Sequence, residues 1–89
     1  MIIITPAQRI EARAQLAAHR AAHQAALEVL RQARVAFAAI PGGWPRPAGW
    51  LALHGPAHQA ARLAVEAARL EAARLAGVYS DAYARTPSW

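Results

Sequence analysis

The sequence predicts an all-α fold, a long antiparallel two-helix hairpin that packs into an oligomer or a larger complex. Three observations point there. The chain has 89 residues and is 56% hydrophobic, but most of that share is alanine, the strongest helix former and a poor core builder. Two long stretches run without internal proline, and a short segment rich in proline, glycine and tryptophan separates them. Helices joined by a short connection fold back on each other, and a pair of them encloses no core of its own.

The elements follow in order along a single domain, 1–89. Residues 1–5 form an extended arm, because the β-branched residues gather in Ile2, Ile3 and Ile4. That arm is too apolar to be left in water. It is expected to add a strand to a partner's sheet or to fold over the hairpin. Thr5 is an N-cap and Pro6 a first helical residue, so helix 1 runs over 6–40, a rod of roughly 52 Å. Pro41, Gly42 and Gly43 stop it. The connection, 41–55, carries Trp44 and Trp50 between prolines, as a rigid docking knob, with one helical turn from Trp50 to His54 before Gly55 and Pro56 interrupt. Pro56 then opens helix 2, 56–84, and 85–89 is a tail.

At roughly 100° per residue, helix 1 divides into two surfaces. Ala7, Ala14, Ala18, Ala21, Ala22, Ala25, Ala36 and Ala39 share one side, with Ile10 and Val29 near its edges. Helix 2 offers Ala57, Ala61, Ala64, Ala68 and Ala72, joined by Leu75. The expectation is that these alanine faces meet inside the hairpin. On the other side of helix 1, Arg9, Arg13, Arg20, Arg31 and Arg34 lie within roughly 60° of one another and stripe about 37 Å of rod. Leu16 and Leu27 share the stripe; His19, His23, Leu30 and Phe37 flank it. The only acids of helix 1, Glu11 and Glu28, lie off it, so these arginines are expected to lack i,i+4 partners on their own helix. Interleaved leucines suit a protein interface, where arginine is enriched and its stem packs as apolar surface. On helix 2, Arg62, Glu66 and Arg69, and Glu71 with Arg74, read as surface ion pairs, and Leu63 and Leu70 as contacts for a neighbouring chain.

Chemistry finds little footing. His19 and His23 are one turn apart, a ligand-compatible spacing, and so are His54 and His58, though Gly55 and Pro56 are expected to break the helix between them. In an antiparallel hairpin the two pairs stand on the order of 20 Å apart, too far for one metal. No Glu-x-x-His pair supports a di-iron bundle, no serine has a base within a recognisable pattern, and no glycine loop precedes a lysine. An enzyme is not expected, nor a cofactor. In topology and length the chain resembles the small secreted helical hairpins of the WXG type, which put a tryptophan and a glycine in the turn. Here the turn holds Gly43-Trp44-Pro45 and Gly49-Trp50-Leu51, so the tripeptide itself is missing, and Tyr83 stands where that family's export signal has an acid after Tyr79. The likeness stops at topology and length, and no membership follows.

The ten basic residues are all arginine, against five acids, for a net charge of +5. Such a balance favours acidic partners. No signal peptide and no transmembrane span is expected, since arginines and prolines interrupt every apolar window. The sequence therefore predicts a soluble structural subunit, cytoplasmic or particle-associated, such as a small phage or bacterial virion component. It would dock on copies of itself or on a host assembly through Arg9, Arg13, Leu16, Arg20, Leu27, Arg31, Arg34, Trp44 and Trp50. The alternative is a nucleic-acid-binding accessory protein that uses the same arginine stripe, although no helix-turn-helix, zinc-finger or RNA-recognition pattern accompanies it.

Overall fold

A computed structural model describes residues 4–42 and 46–86. They form two α-helices, α1 (Pro6–Ala38) and α2 (Trp50–Arg85), folded back as an antiparallel hairpin. The described residues are 86% helical and include no strand. Met1, Ile2 and Ile3 of the expected arm, Gly43, Trp44 and Pro45 of the connection, and Pro87 to Trp89 of the tail lie outside them. The hairpin is a rod of 70 × 17 × 16 Å with a radius of gyration of 20.4 Å. A compact chain of this length would have a radius of about 12 Å.

The start of α1 is fixed locally. The Thr5 hydroxyl accepts from the Gln8 amide N–H at 3.2 Å, and the Gln8 side-chain carbonyl accepts from the Thr5 N–H at 2.9 Å. This reciprocal capping box satisfies two of the amide donors that a helix start leaves over. The other end comes slightly earlier than the expected Ile40. Ala39 closes the helix on Val35 O, and the Ile40 N–H turns back to Phe37 O at 3.2 Å, a tighter bond that ends the α geometry before Pro41.

The start of α2 departs further from expectation. Pro47 to Trp50 make a type II turn, with the Trp50 N–H donating to Pro47 O at 3.1 Å and Gly49 at φ 81°, ψ −3° in its third position. Only glycine takes that conformation without strain. The turn delivers the chain straight into α2 at Trp50, so Pro56 lies inside the helix rather than at its first residue, and the connection contracts. Proline there removes the bond to the Ala52 carbonyl and crowds it, at a cost of about 3 kcal/mol. Against that stands Trp50, 5% exposed. Its indole N–H donates to Pro41 O across the connection, and the Arg46 guanidinium sits 3.9 Å above its ring. Burying a tryptophan is worth up to about 4–6 kcal/mol, enough to carry the helix through the proline. At the far end α2 continues to Arg85, beyond the expected residue 84, and Thr86 caps it by donating its hydroxyl to Ala82 O at 2.7 Å.

The two helices meet along a seam different from the one expected. On α1 the half-buried and buried positions are Arg9, Ala12, Leu16, His19, His23, Ala26, Leu30, Ala33 and Phe37, spaced by three or four. On α2 they are His54, His58, Ala61, Val65, Ala68, Ala72, Leu75, Tyr79 and Ala82, with Gly55, Ala76 and Val78 at the margins. This is the heptad alternation of a coiled coil. Its centre is Leu30 against Ala68 and Ala72, with Ala26, Ala33 and Val65 packed around. Beyond the centre the seam is aromatic: His23 stacks on Tyr79 at 6.5 Å, and His58 lies 4.9 Å from Phe37 and 5.4 Å from Trp50. The alanine side of α1, Ala7, Ala14, Ala18, Ala21, Ala22, Ala25, Ala36 and Ala39, is exposed throughout. Of the alanines named on α2, Ala61, Ala68 and Ala72 are in the seam, while Ala57 and Ala64 are exposed. The reason is size. Leu16, Leu30 and Phe37 lose more surface to water than alanines do, so they turn α1 toward α2 and rotate the alanines outward.

Candidate interaction surfaces

Extending the seam arithmetic around each helix gives the hairpin two unlike flanks. One flank takes Arg13, Arg20, Leu27 and Arg34 from α1, and Arg62, Arg69, Ala76 and Tyr83 from α2. In an antiparallel pair these positions lie on the same side of the seam. Leu27 is 44% and Tyr83 66% exposed. An open cleft of about 170 Å³ lies here between Phe37, Arg62, Val65, Glu66 and Arg69. This flank is basic, with aliphatic and aromatic surface between its arginines.

The other flank is free of charge from Leu53 to Leu70 on α2 and carries charges of both signs, Glu11, Glu71, Arg74, Asp81 and Arg85, toward the open end of the hairpin. On α1 it holds the exposed alanines from Ala14 to Ala25, continuing to Val29. On α2 it holds Leu53, Ala57, Ala60, Leu63, Ala64, Ala67 and Leu70, all exposed. These run from about 80° (Ala57, Ala64) to about 170° (Leu63, Leu70) around α2 from the seam and cover about 26 Å of it before Glu71 and Arg74. Glu11 and Glu28 rim the α1 side. At the open end of the hairpin a cleft of about 190 Å³ lies on this side, with Gln15, His19 and Arg85 among its lining. Helix 2 is thus apolar in two directions, one answered by α1 and one unanswered.

The residues predicted to form an interface separate accordingly. Arg13, Arg20 and Arg34 stand exposed on the basic flank with Leu27 between them. Leu16 and Arg9 are half-buried, at seam positions, and Leu16 spends its side chain on the hairpin itself. Arg31 has no i,i+4 acid but finds one at i,i+3: Glu28 accepts from its Nε at 2.9 Å and its Nη2 at 2.5 Å. Trp50 is buried, so it serves as the staple of the connection and is not a docking knob. On α2, Glu66 pairs with Arg69 at 3.4 Å and Glu71 with Arg74 at 2.6 Å, while Arg62 donates to Gln59 at 3.1 Å. The guanidinium hydrogen bonds to Glu28 and Glu71 hold both carboxyls below their ordinary value. Leu63 and Leu70 are 53% and 55% exposed. Tyr79 and Tyr83 pack ring to ring at 6.3 Å.

The helix runs unbroken between His54 and His58, so both reach Trp50, contrary to the expected interruption at Pro56. His23 at Tyr79 and His58 at Phe37 are on the order of 20 Å apart along the rod. Among the described residues no three histidines or carboxylates gather where a metal ion would fit. No described helix is long and apolar enough to cross a membrane.

These features define the chain as an antiparallel coiled-coil hairpin with one basic flank and one alanine-rich flank of mixed charge. Comparison with protein-family models, curated proteins and solved structures returns no match.

Proposed function

We propose that this hairpin is a non-enzymatic assembly subunit that docks through its flanks into a multi-subunit particle. The observation that carries the reading is a mismatch between inside and outside. Four described residues are buried, Leu30, Trp50, Ala68 and Ala72, whereas Ile10, Leu27, Val29, Val35, Leu51, Leu53, Leu63 and Leu70 each keep 44% or more of their surface in water. Leu53, Leu63 and Leu70, with the exposed alanines between them, gather part of that surface on one side of α2, and an apolar patch of that kind is what protein partners cover. The mixture of arginine, leucine and tyrosine on the basic flank has the composition of a protein interface. A virion or a comparable particle is a setting in which so small a subunit is useful.

The test is the mass of the species that carries the chain in extracts of its own cells or particles. It is expected to sediment far above the mass of a hairpin, unchanged by nuclease. Sedimentation as a free hairpin would overturn the reading. A second reading rests on the basic flank, where Arg34 of α1 comes level with Arg69 of α2 and near Arg62, and Arg20 continues the line on α1: the chain binds nucleic acid. Its mark is a heavy species that nuclease disperses, and binding that weakens steeply with salt, by a log–log slope of about −0.9 per phosphate contacted on duplex DNA.

A further inference from the structure

We propose that the alanine-rich flank seats a second copy of this chain, so that two hairpins close into a four-helix bundle. This rests on the assembly reading and names its first partner.

Surface area gives the first argument. A compact monomer of 9.5 kDa exposes about 5,000 Å². This chain exposes 6756 Å², an excess of about 1,700 Å². Stable complexes cover about 800 Å² on each partner, so the excess is enough for a full interface with surface to spare.

Charge chooses the flank and the occupant. A two-fold interface brings each patch against itself or its neighbour. Through the basic flank that contact would set Arg20, Arg34, Arg62 and Arg69 against their own copies. The other flank carries charges of both signs, so its contact with a copy sets up no such array of like charges. At equal height its leucines Leu63 and Leu70 come level with the C-terminal part of the partner copy's α1, where Val35, Ala36 and Ala39 are exposed. A two-fold axis along the rod lays α2 of each copy antiparallel on α1 of the other, at equal height. The stacking of His23 on Tyr79 and the packing of Leu30 on Ala72 fix the heights. Leu63 and Leu70 then meet the smooth stretch of the partner's α1 around Ala36, and Arg74 comes level with the partner copy's Glu28. Such a bundle buries the second apolar face of α2 and leaves both basic flanks outward for further partners.

The test uses the purified full chain in sedimentation equilibrium. The native chain is expected as a dimer, twice 9.5 kDa, at concentrations on the order of 10 µM. Leu63→Arg on α2 and Ala36→Arg on α1 change exposed residues outside the hairpin seam. Each is expected to weaken the dimer at least about hundredfold. Arg20→Glu, on the basic flank, is expected to leave it intact. A folded native monomer at that concentration overturns the inference, and so does a dimer that Arg20→Glu disperses while the other two do not. A monomer that still travels in a heavy species in its own cells would refute this inference and leave the assembly reading standing. A dimer found in no heavier species would do the reverse.

Discussion

Leu30→Ala tests where the free energy of the hairpin resides. Leu30 is 7% exposed and is the only large side chain in the central buried cluster; its neighbours are Ala26, Ala33, Val65, Ala68 and Ala72. Truncation removes three carbons from that layer, and at about 0.8 kcal/mol for each buried carbon the transfer loss is about 2.4 kcal/mol. Large-to-small changes in enclosed cores cost up to about 5 kcal/mol because a cavity remains. Here the walls are two helices open to water on both flanks, so the gap closes or wets and the cavity term is small. The expected cost is about 2–3 kcal/mol, which in a domain of this size lowers Tm by roughly 10–20 °C. Thermal unfolding followed by circular dichroism at 222 nm measures it, with native and variant at one concentration so that association shifts both alike. Ala21→Leu is the paired control. Ala21 is exposed, so the substitution should lower Tm by no more than a few degrees, whereas overpacking of a real alanine seam would cost about 1–3 kcal/mol. A large loss for Ala21→Leu with none for Leu30→Ala would refute the heptad seam.

Three further outcomes follow from the same contacts. Trp50→Phe keeps the ring and removes the indole N–H that Pro41 O accepts; it should cost about 1–2 kcal/mol, and an unchanged Tm would deny the staple its role. Pro56→Ala restores a helical N–H inside α2 and should raise Tm by an amount equivalent to about 1–2 kcal/mol, after allowing for the freer unfolded chain; a lower Tm would mean that the proline is needed where it stands. Glu28 and Glu71 have folded pKa values below the ordinary 4.5, so their support is complete above about pH 4.5 and is lost as pH falls through the depressed folded values. The Tm difference between the native chain and Glu28→Gln/Glu71→Gln should therefore shrink toward zero on acidification, and a difference that grew would reverse the sign argued here.

Much of the exposed surface of α1 was legible before the fold. The contrast between an alanine side and an arginine side of α1 follows from spacing alone, and both sides are exposed. What spacing misjudged was which surface faces the other helix. The signal was present in the three- and four-residue steps from Leu16 through His19, His23, Ala26, Leu30 and Ala33 to Phe37. It is faint because histidine and alanine fill most of those positions, and alanine at close spacing looks like packing in its own right.

The sequence by itself determined the class, the two rods and the first cap. Those depend on helix propensity, on the Thr5–Gln8 capping box and on breakers at Pro41 and Gly42, all of which act within one or two turns. Tertiary structure decided the rest. Helix 2 begins at Trp50 because the indole closes on Pro41 and Arg46, partners that the local reading of Gly55 and Pro56 did not include. The same burial takes Trp50 out of any docking role. The orientation of α1 was settled by competition between its faces for one neighbour. The larger side chains won that contest, and the alanines were left to the outside, where a second chain has room to lie.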